Sequence, residues 1–293
     1  MKPMTRIEQA LAEALGDGEG PGSPPKLAGA IRHAVFPGGA RIRPQVCLAV
    51  AAACGDPDPM LSSATATAIE LMHCASLVHD DLPCFDDAPT RRGRASVQYA
   101  YGENLAVLAG DALIILAFRT LTLGALHSPH RLADLIDLVA QSAGMPHGAV
   151  AGQAWECESR VSLVDYQRAK TGALFTAATM GGALAAGADP QPWRIFGGWL
   201  GEAYQAADDI RDVVGDPRVL GKPVGRDAAL LRPSTATELG LEGAVAHFDR
   251  LIAKAIEVIP ECEGADLLRD LVCSESERLV PKEATATALR ALA

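Results

Sequence analysis

The sequence predicts an all-α protein on three observations. Apolar residues make up 49% of the chain but aromatics only 4%, and Ala and Leu, both strong helix formers, supply much of the apolar content. Apolar positions recur with helical spacing, and no run shows the sustained alternation between turn dipeptides that marks a strand. Pro and Gly breaks separate the helical stretches, where a missing N–H or a flexible backbone ends a helix.

Taken in order, 4–15 has helical periodicity and is followed by a Gly/Pro-rich loop at 16–25. A helix is expected at 26–35, broken by Pro37-Gly38-Gly39. An apolar helix at 42–54 ends at Gly55-Asp56-Pro57, and a long one at 59–81 is stopped by Pro83, whose ring disfavours helical backbone before it. Residues 86–96 read as a polar loop, and 97–125 as helix with a break near Gly102. Further helices are expected at 130–143, 149–159, 163–170, 173–186 and 193–214. An irregular Gly/Pro-punctuated stretch at 215–232 precedes two final helices, 240–259 and 265–280. There is no repeat of 20–50 residues. The reading is one domain, 1–293, of ten or more helices.

The bulk properties exclude some functions. A net charge of −10 and a pI of about 5.2 argue against a nucleic-acid surface, which needs a basic field. They leave room for an anionic substrate, because bound metal ions invert the local sign. The seven cysteines form no CxxC pair and read as buried or half-buried thiols of a reduced cytoplasm. The polar stretch 1–9 does not read as a signal peptide, and the longest uncharged apolar run, 173–188, is shorter than the roughly 20 residues of a membrane span. A cytoplasmic protein without a span is the expectation.

Two acidic constellations carry the chemistry. In DDIRD (208–212), Asp208 and Asp212 stand at i and i+4, so a helix places both carboxylates on one face. That pairing costs a few tenths of a kcal/mol in a bare helix, and Mg²⁺, a hard cation with oxygen ligands, would compensate it. The plain alternative is a solvated acidic face, but the apolar run Trp199, Leu200, Ala203, Ala206 and Ala207 leads into the triplet. The second constellation is DDLPCFDDAPTRRGR (80–94). A straight helix would not align Asp80 with Asp86; a turn at Pro83 can bring Asp86 back beside Asp80. Arg91, Arg92 and Arg94 follow within one loop. Carboxylates for metal beside guanidinium forks for phosphate are what a diphosphate site requires.

Around these lie PGGARIRP (37–44), ELMHCASLVHDD (70–81), RRG (91–93), LAGDAL (108–113), KTG (170–172), YQAADD (204–209) and GKPVGRD (221–227). With these motifs in this order, the chain resembles the trans-prenyl diphosphate synthases, most of all the bacterial carotenoid-pathway geranylgeranyl diphosphate synthases. DDLPCFD is similar to the family's first aspartate-rich motif in its longer bacterial spacing, and DDIRD to its second. The resemblance implies an isoprenoid-synthase-type helical bundle around a central cavity, three Mg²⁺ per site, and a homodimer. It implies that Asp80 and Asp86 bind two Mg²⁺ and Asp208 a third, with Asp81 and Asp212 in support. Arg91, Lys170 and Lys222 would contact the allylic diphosphate, and Arg43, His73 and Arg92 the isopentenyl diphosphate. Thr171 and Gln205 would face the reacting carbons. Neither Ser76 nor Cys84 is needed as a nucleophile.

Two positions depart from the family. Ala40 stands where a Lys would touch isopentenyl diphosphate, a loss of about 1.5–3 kcal/mol for one charged hydrogen bond; Arg41 or another nearby cation could replace it. Arg232 stands where Lys is usual. For product length, the family's pocket floor falls on Ala75 and Ser76, both small here, with Leu71 and Met72 one turn deeper. One more isoprene unit buries about four carbons, worth about 3 kcal/mol, so the expected product has twenty carbons; helix packing is the alternative role for Ala75.

Other readings are farnesyl diphosphate synthase, a cyclising terpene synthase, which typically lacks the second DDxxD, and a non-catalytic partner subunit, favoured only by Ala40. The helical stretch 97–125 is the candidate dimer interface, or simply core.

Overall fold

The structure is a computed structural model that describes residues 2–159, 162–214 and 234–281. It is all-α, with more than ten helices among the described residues. The chain divides into two compact units, 1–140 with 181–189, and 141–180 with 190–293.

The first unit holds α1 (Pro3–Gly18), α2 (Pro25–Val35), α3 (Ile42–Ala53), α4 (Pro59–Asp80), α5 (Val97–Tyr101), α6 (Glu103–Gly124) and the start of α7 (Leu132–Ala143). The buried helix α4 is its axis, packed by α1, α2, α3 and α6. Pro59 opens α4, and Asp58 caps it by accepting the Leu61 N–H at 3.1 Å; a proline at the first position and an Asp cap both suit a helix start. Leu61, Ile69 and Leu71 are fully buried along it, each worth about 1.5–3 kcal/mol. The helix ends at Asp80, ahead of Pro83, and the polar loop that follows contains a two-residue hairpin, β1 (Thr90–Arg91) paired antiparallel with β2 (Arg94–Ala95).

The second unit holds α8 (Ala149–Ala154), α9 (Leu163–Gln167), a π-helical turn (Arg168–Gly172), the first part of α10 (Ala173–Ala186), α11 (Gln191–Val214), α12 (Thr235–Glu257) and α13 (Ala265–Leu279). Helix α11 buries Ala203, Ala206, Ala207 and Ile210 in one cluster with Phe248 and Leu251 of α12. Small residues on α11 let the helices approach, and Phe248 and Leu251 supply the buried bulk.

Sequence and structure differ in particulars. The first helix runs on to Gly18. The helix expected from 240 starts at Thr235, because Ser234 caps it by accepting from the Thr237 N–H at 3.2 Å, and it kinks at Gly240. The expected irregular stretch 215–232 lies outside the described residues, together with Lys222, the GKPVGRD motif and Arg232. Cys84, Cys157 and Cys273 are exposed, not buried, since each lies in a turn or on an outer helix face. One further helix bears on membrane-span length, although it is not the uncharged run 173–188. The helical run Glu103–His127 is long and apolar enough to cross a membrane by length and composition alone, with mean hydropathy 1.8 over its most apolar stretch, part of which is buried against the rest of the protein. Asp111 and Arg119 interrupt its uncharged run, which is why the sequence reading passed it by.

Candidate active site

The first cluster stands at the C-terminal end of α4. The chain turns back at Pro83 so that the Asp86 N–H donates to the Asp80 carbonyl at 2.9 Å, which sets the two acidic residues side by side. The hairpin then brings Arg91 against the turn. Its Nε donates to Asp81 Oδ1 at 2.9 Å and its Nη2 makes a second, shorter contact with the same oxygen. Asp80 Oδ2 lies 3.9 Å from that Nη2. Asp81 is buried; burial pushes its carboxyl up, Arg91 opposes the shift, and Asp80 and Asp86 add to it. Asp81 thus anchors Arg91, while Asp80 and Asp86 edge the turn.

One helical turn or more earlier on α4 stand His73, Ala75, Ser76, Leu71 and Met72. Leu71, Met72 and Ala75 are buried, and the Ser76 hydroxyl is satisfied by the His73 carbonyl at 2.8 Å. Burial, and then the charges of Arg43, Arg92, Arg91 and Arg41, hold the His73 imidazole well below its ordinary pKa, so it is neutral at physiological pH. The unfolded chain takes up this proton near pH 6.5 and the folded chain does not, so His73 erodes stability as the pH falls below about 6.5. The thermal midpoint should drop with pH in that range more steeply for the wild type than for His73→Gln; parallel curves would contradict an imidazole held neutral in the fold.

The second cluster lies on the π-turn and α11. A π-turn inserts an extra residue and is common at functional sites; here it carries Lys170 and Thr171. The Thr171 hydroxyl donates to Gln205 Oε1 at 2.5 Å, and Gln205 Nε2 donates to Asp209 Oδ1 at 2.8 Å. Asp209 is buried and accepts the Thr235 N–H at 2.7 Å. Burial raises its carboxyl, against the hydrogen bonds from Thr235 and Gln205. Asp209 therefore ties α11 to the start of α12, and its neighbours Asp208 and Asp212 share another helix face one turn apart. Lys170 pairs with Glu156, which also accepts the Tyr166 hydroxyl at 2.7 Å.

The structure thus gathers Arg43, His73, Asp80, Asp81, Asp86, Arg91 and Arg92 in the first unit, and Lys170, Thr171, Gln205, Asp208 and Asp212 in the second. Sequence reasoning missed Glu70, Glu156 and Asp209 as partners of these groups. Only Asp209 carried a signal, as the middle acid of DDIRD. Arg41, a candidate substitute for the lysine absent at position 40, is turned into the core: it is buried, and its guanidinium bonds Glu8, Glu70 and the Val35 carbonyl.

Among the described residues no three acidic, His or Cys side chains close into a preformed cage. An ion such as Mg²⁺ keeps several waters and is held by one or two carboxylates plus substrate phosphates, so it needs no such cage. Asp80 and Asp86 in the first unit, and Asp208 in the second, offer carboxylate oxygens of the kind such an ion takes.

A family model described as Polyprenyl synthetase matches residues 24–265. The chain is 50% identical to the geranylgeranyl diphosphate synthase of Cereibacter sphaeroides, over 96% of this chain and 98% of that protein. It is 48% identical to the geranylgeranyl diphosphate synthase of Rhodobacter capsulatus, over 96% of this chain and 97% of the relative. Among solved structures it is similar to the geranyltransferase from Helicobacter pylori complexed with magnesium and isoprenyl diphosphate, with a TM-score of 0.80, 27% identity, and coverage of 95% of this chain and 98% of that one. The family match takes in both acidic motifs and nearly all of the basic residues around them, and on that ground the chain belongs to the polyprenyl synthetase family.

Proposed function

We propose that the protein is a Mg²⁺-dependent prenyltransferase that condenses isopentenyl diphosphate head to tail with allylic diphosphates and makes geranylgeranyl diphosphate. The observation that carries the reading is the turn closed from Asp86 to Asp80, which sets two acidic residues beside a hairpin of arginines. Carboxylates alone would repel a diphosphate, and arginines alone would not hold the metal; the two together suit a metal–diphosphate complex.

The residues divide the work by chemistry. Asp80 and Asp86, with Asp208, would hold the Mg²⁺, three ions in the full reading, and Asp81 and Asp212 support them. Magnesium, when bound, neutralises charge that grows on the departing diphosphate. Arg91, Lys170 and Lys222 steady the same group. Arg43, Arg92 and neutral His73 hold isopentenyl diphosphate so that its double bond lies against the allylic carbon. Thr171 and Gln205, locked to one another, present oxygens to the developing allylic cation without the basicity to capture it. The apolar side chains of α4 exclude water.

Incubating the purified chain alone with Mg²⁺, labelled isopentenyl diphosphate and farnesyl diphosphate tests the proposal. A twenty-carbon product supports it. A fifteen-carbon end product from a shorter primer would make the enzyme a farnesyl diphosphate synthase. No elongation would favour the non-catalytic partner subunit, for which Ala40 is the supporting feature.

The family match across both compact units supports reading 1–293 as one domain. We read the protein as a cytoplasmic homodimer. Helix α6 exposes Leu108, Ile115 and, in the turn beyond it, Leu126, and an apolar stripe of this kind marks an interaction surface. Light scattering should give twice the chain mass, and Ile115→Asp should lower it; a monomer in the wild type would contradict the dimer.

A further inference from the structure

Glu70 is a buried carboxylate that the reaction as described does not use. It lies on α4, and it is only 2% exposed. Its Oε1 accepts from Arg41 Nη1 at 2.7 Å and stands 4.0 Å from Arg92 Nη2. One oxygen thus faces two guanidiniums, hydrogen-bonded to the first and at ion-pair distance from the second.

The two arginines differ in what else they do. Arg41 is spent on the core, with Nε on Glu8 Oε1 at 2.8 Å and Nη2 on the Val35 carbonyl at 2.7 Å. Arg92 keeps Nη1 buried and without a hydrogen-bond partner among the described residues. A buried guanidinium N–H without an acceptor is costly, so it marks where an acceptor belongs. Both residues adopt left-handed backbone, with φ of 51° at Arg41 and 54° at Arg92, which a residue with a Cβ keeps only where its surroundings over-determine it. The glycine pair before Arg41 fits the same arrangement. A Cβ on Gly38 would overlap the Arg41 guanidinium, and one on Gly39 would stand 3.1 Å from Arg92 Nε.

We propose that Glu70 is a positioning residue: through the oxygen it shares with core-anchored Arg41, it fixes Arg92 so that the open Nη1 meets the diphosphate of the isopentenyl substrate. The proposal rests on the prenyltransferase reading. It also addresses position 40. With Ala there, and with Arg41 committed to the core, the diphosphate must rely more on a well-placed Arg92.

Two effects compete, and their signs differ. By charge alone, neutralising a carboxylate 4.0 Å from Arg92 should strengthen an anion site. By positioning, the same change should weaken it, because Arg92 loses its fixed orientation. Steady-state kinetics of Glu70→Gln separates them. The KM for isopentenyl diphosphate should rise about tenfold, the size of one weakened hydrogen bond to a charged group, with the KM for farnesyl diphosphate and kcat little changed. In an Arg92→Ala background, Glu70→Gln should add nothing to that KM.

An unchanged or lower KM for isopentenyl diphosphate, or an equal rise in the Arg92→Ala background, overturns the proposal. If Glu70→Gln does not fold, Glu70→Asp keeps a charge for Arg41 but withdraws it by one methylene. The same split between the two KM values is expected, and its absence overturns the proposal. Failure of the wild-type protein to elongate any primer would reject the functional reading itself, a result distinct from an unmoved KM in an active enzyme.

Discussion

Asp80→Ala and Asp208→Ala should each lower kcat by about two to three orders of magnitude, with the fold intact. The size follows from the chemistry. Loss of a single preorganised group that stabilises a leaving oxyanion costs about 10²–10³ in rate, and a metal-holding carboxylate removes at least that much when its ion is no longer placed. The fold should tolerate both changes. Asp80 closes the turn after α4 through its backbone carbonyl, which accepts the Asp86 N–H and which alanine retains. Asp208 is only partly buried, and the buried tie from α11 to α12 belongs to its neighbour Asp209. Asp209→Ala should therefore behave differently and lower the thermal midpoint. Wild-type turnover in either Asp80→Ala or Asp208→Ala would remove that residue from the metal site.

Ala75→Tyr should shorten the main product from twenty to fifteen carbons, read by chromatography of the dephosphorylated alcohols. Ala75 is 2% exposed on α4, five residues before Asp80. A side chain enlarged there stands in the path of a tail that runs down the helix from the diphosphate. The last isoprene unit gains about 3 kcal/mol from burial, and a tyrosine ring that occupies the same space removes that gain. The cost is steric, since overpacking a filled core typically costs about 1–3 kcal/mol, so the variant should be less stable but folded. A folded variant that still makes only twenty-carbon product would remove Ala75 from the pocket floor and leave it as helix packing.

The parts of the site that share a helix face or a short loop were legible in the sequence. Asp208 and Asp212 fall one turn apart in an unbroken helical pattern, and the fold-back of Asp86 follows from Pro83, a residue that cannot continue the helix. The helix 173–186 was legible to the residue because Gly and turn residues bound it on one side and its apolar content is continuous. What stayed hidden depends on partners distant in sequence. Glu70 meets Arg41 across 29 residues, and Asp209 meets Thr235 across 26. No local pattern states that a buried acid will find a cation or an N–H so far away. The π-turn at 168–172 was hidden for a different reason: α and π turns use the same residues, and only packing decides between them. Arg41 shows the limit of reasoning from charge. Its place in the chain made it a candidate substitute for the missing lysine, and a left-handed backbone turns its side chain into the core instead.

The account depends on Asp80 and Asp208 serving one and the same diphosphate. A crystal structure with Mg²⁺ and an unreactive allylic thiodiphosphate tests this most directly. The account predicts metal ions on Asp80 and on Asp208 that share oxygens of a single bound diphosphate. Metal and diphosphate at one acidic cluster, with Asp208 bearing neither, would contradict it.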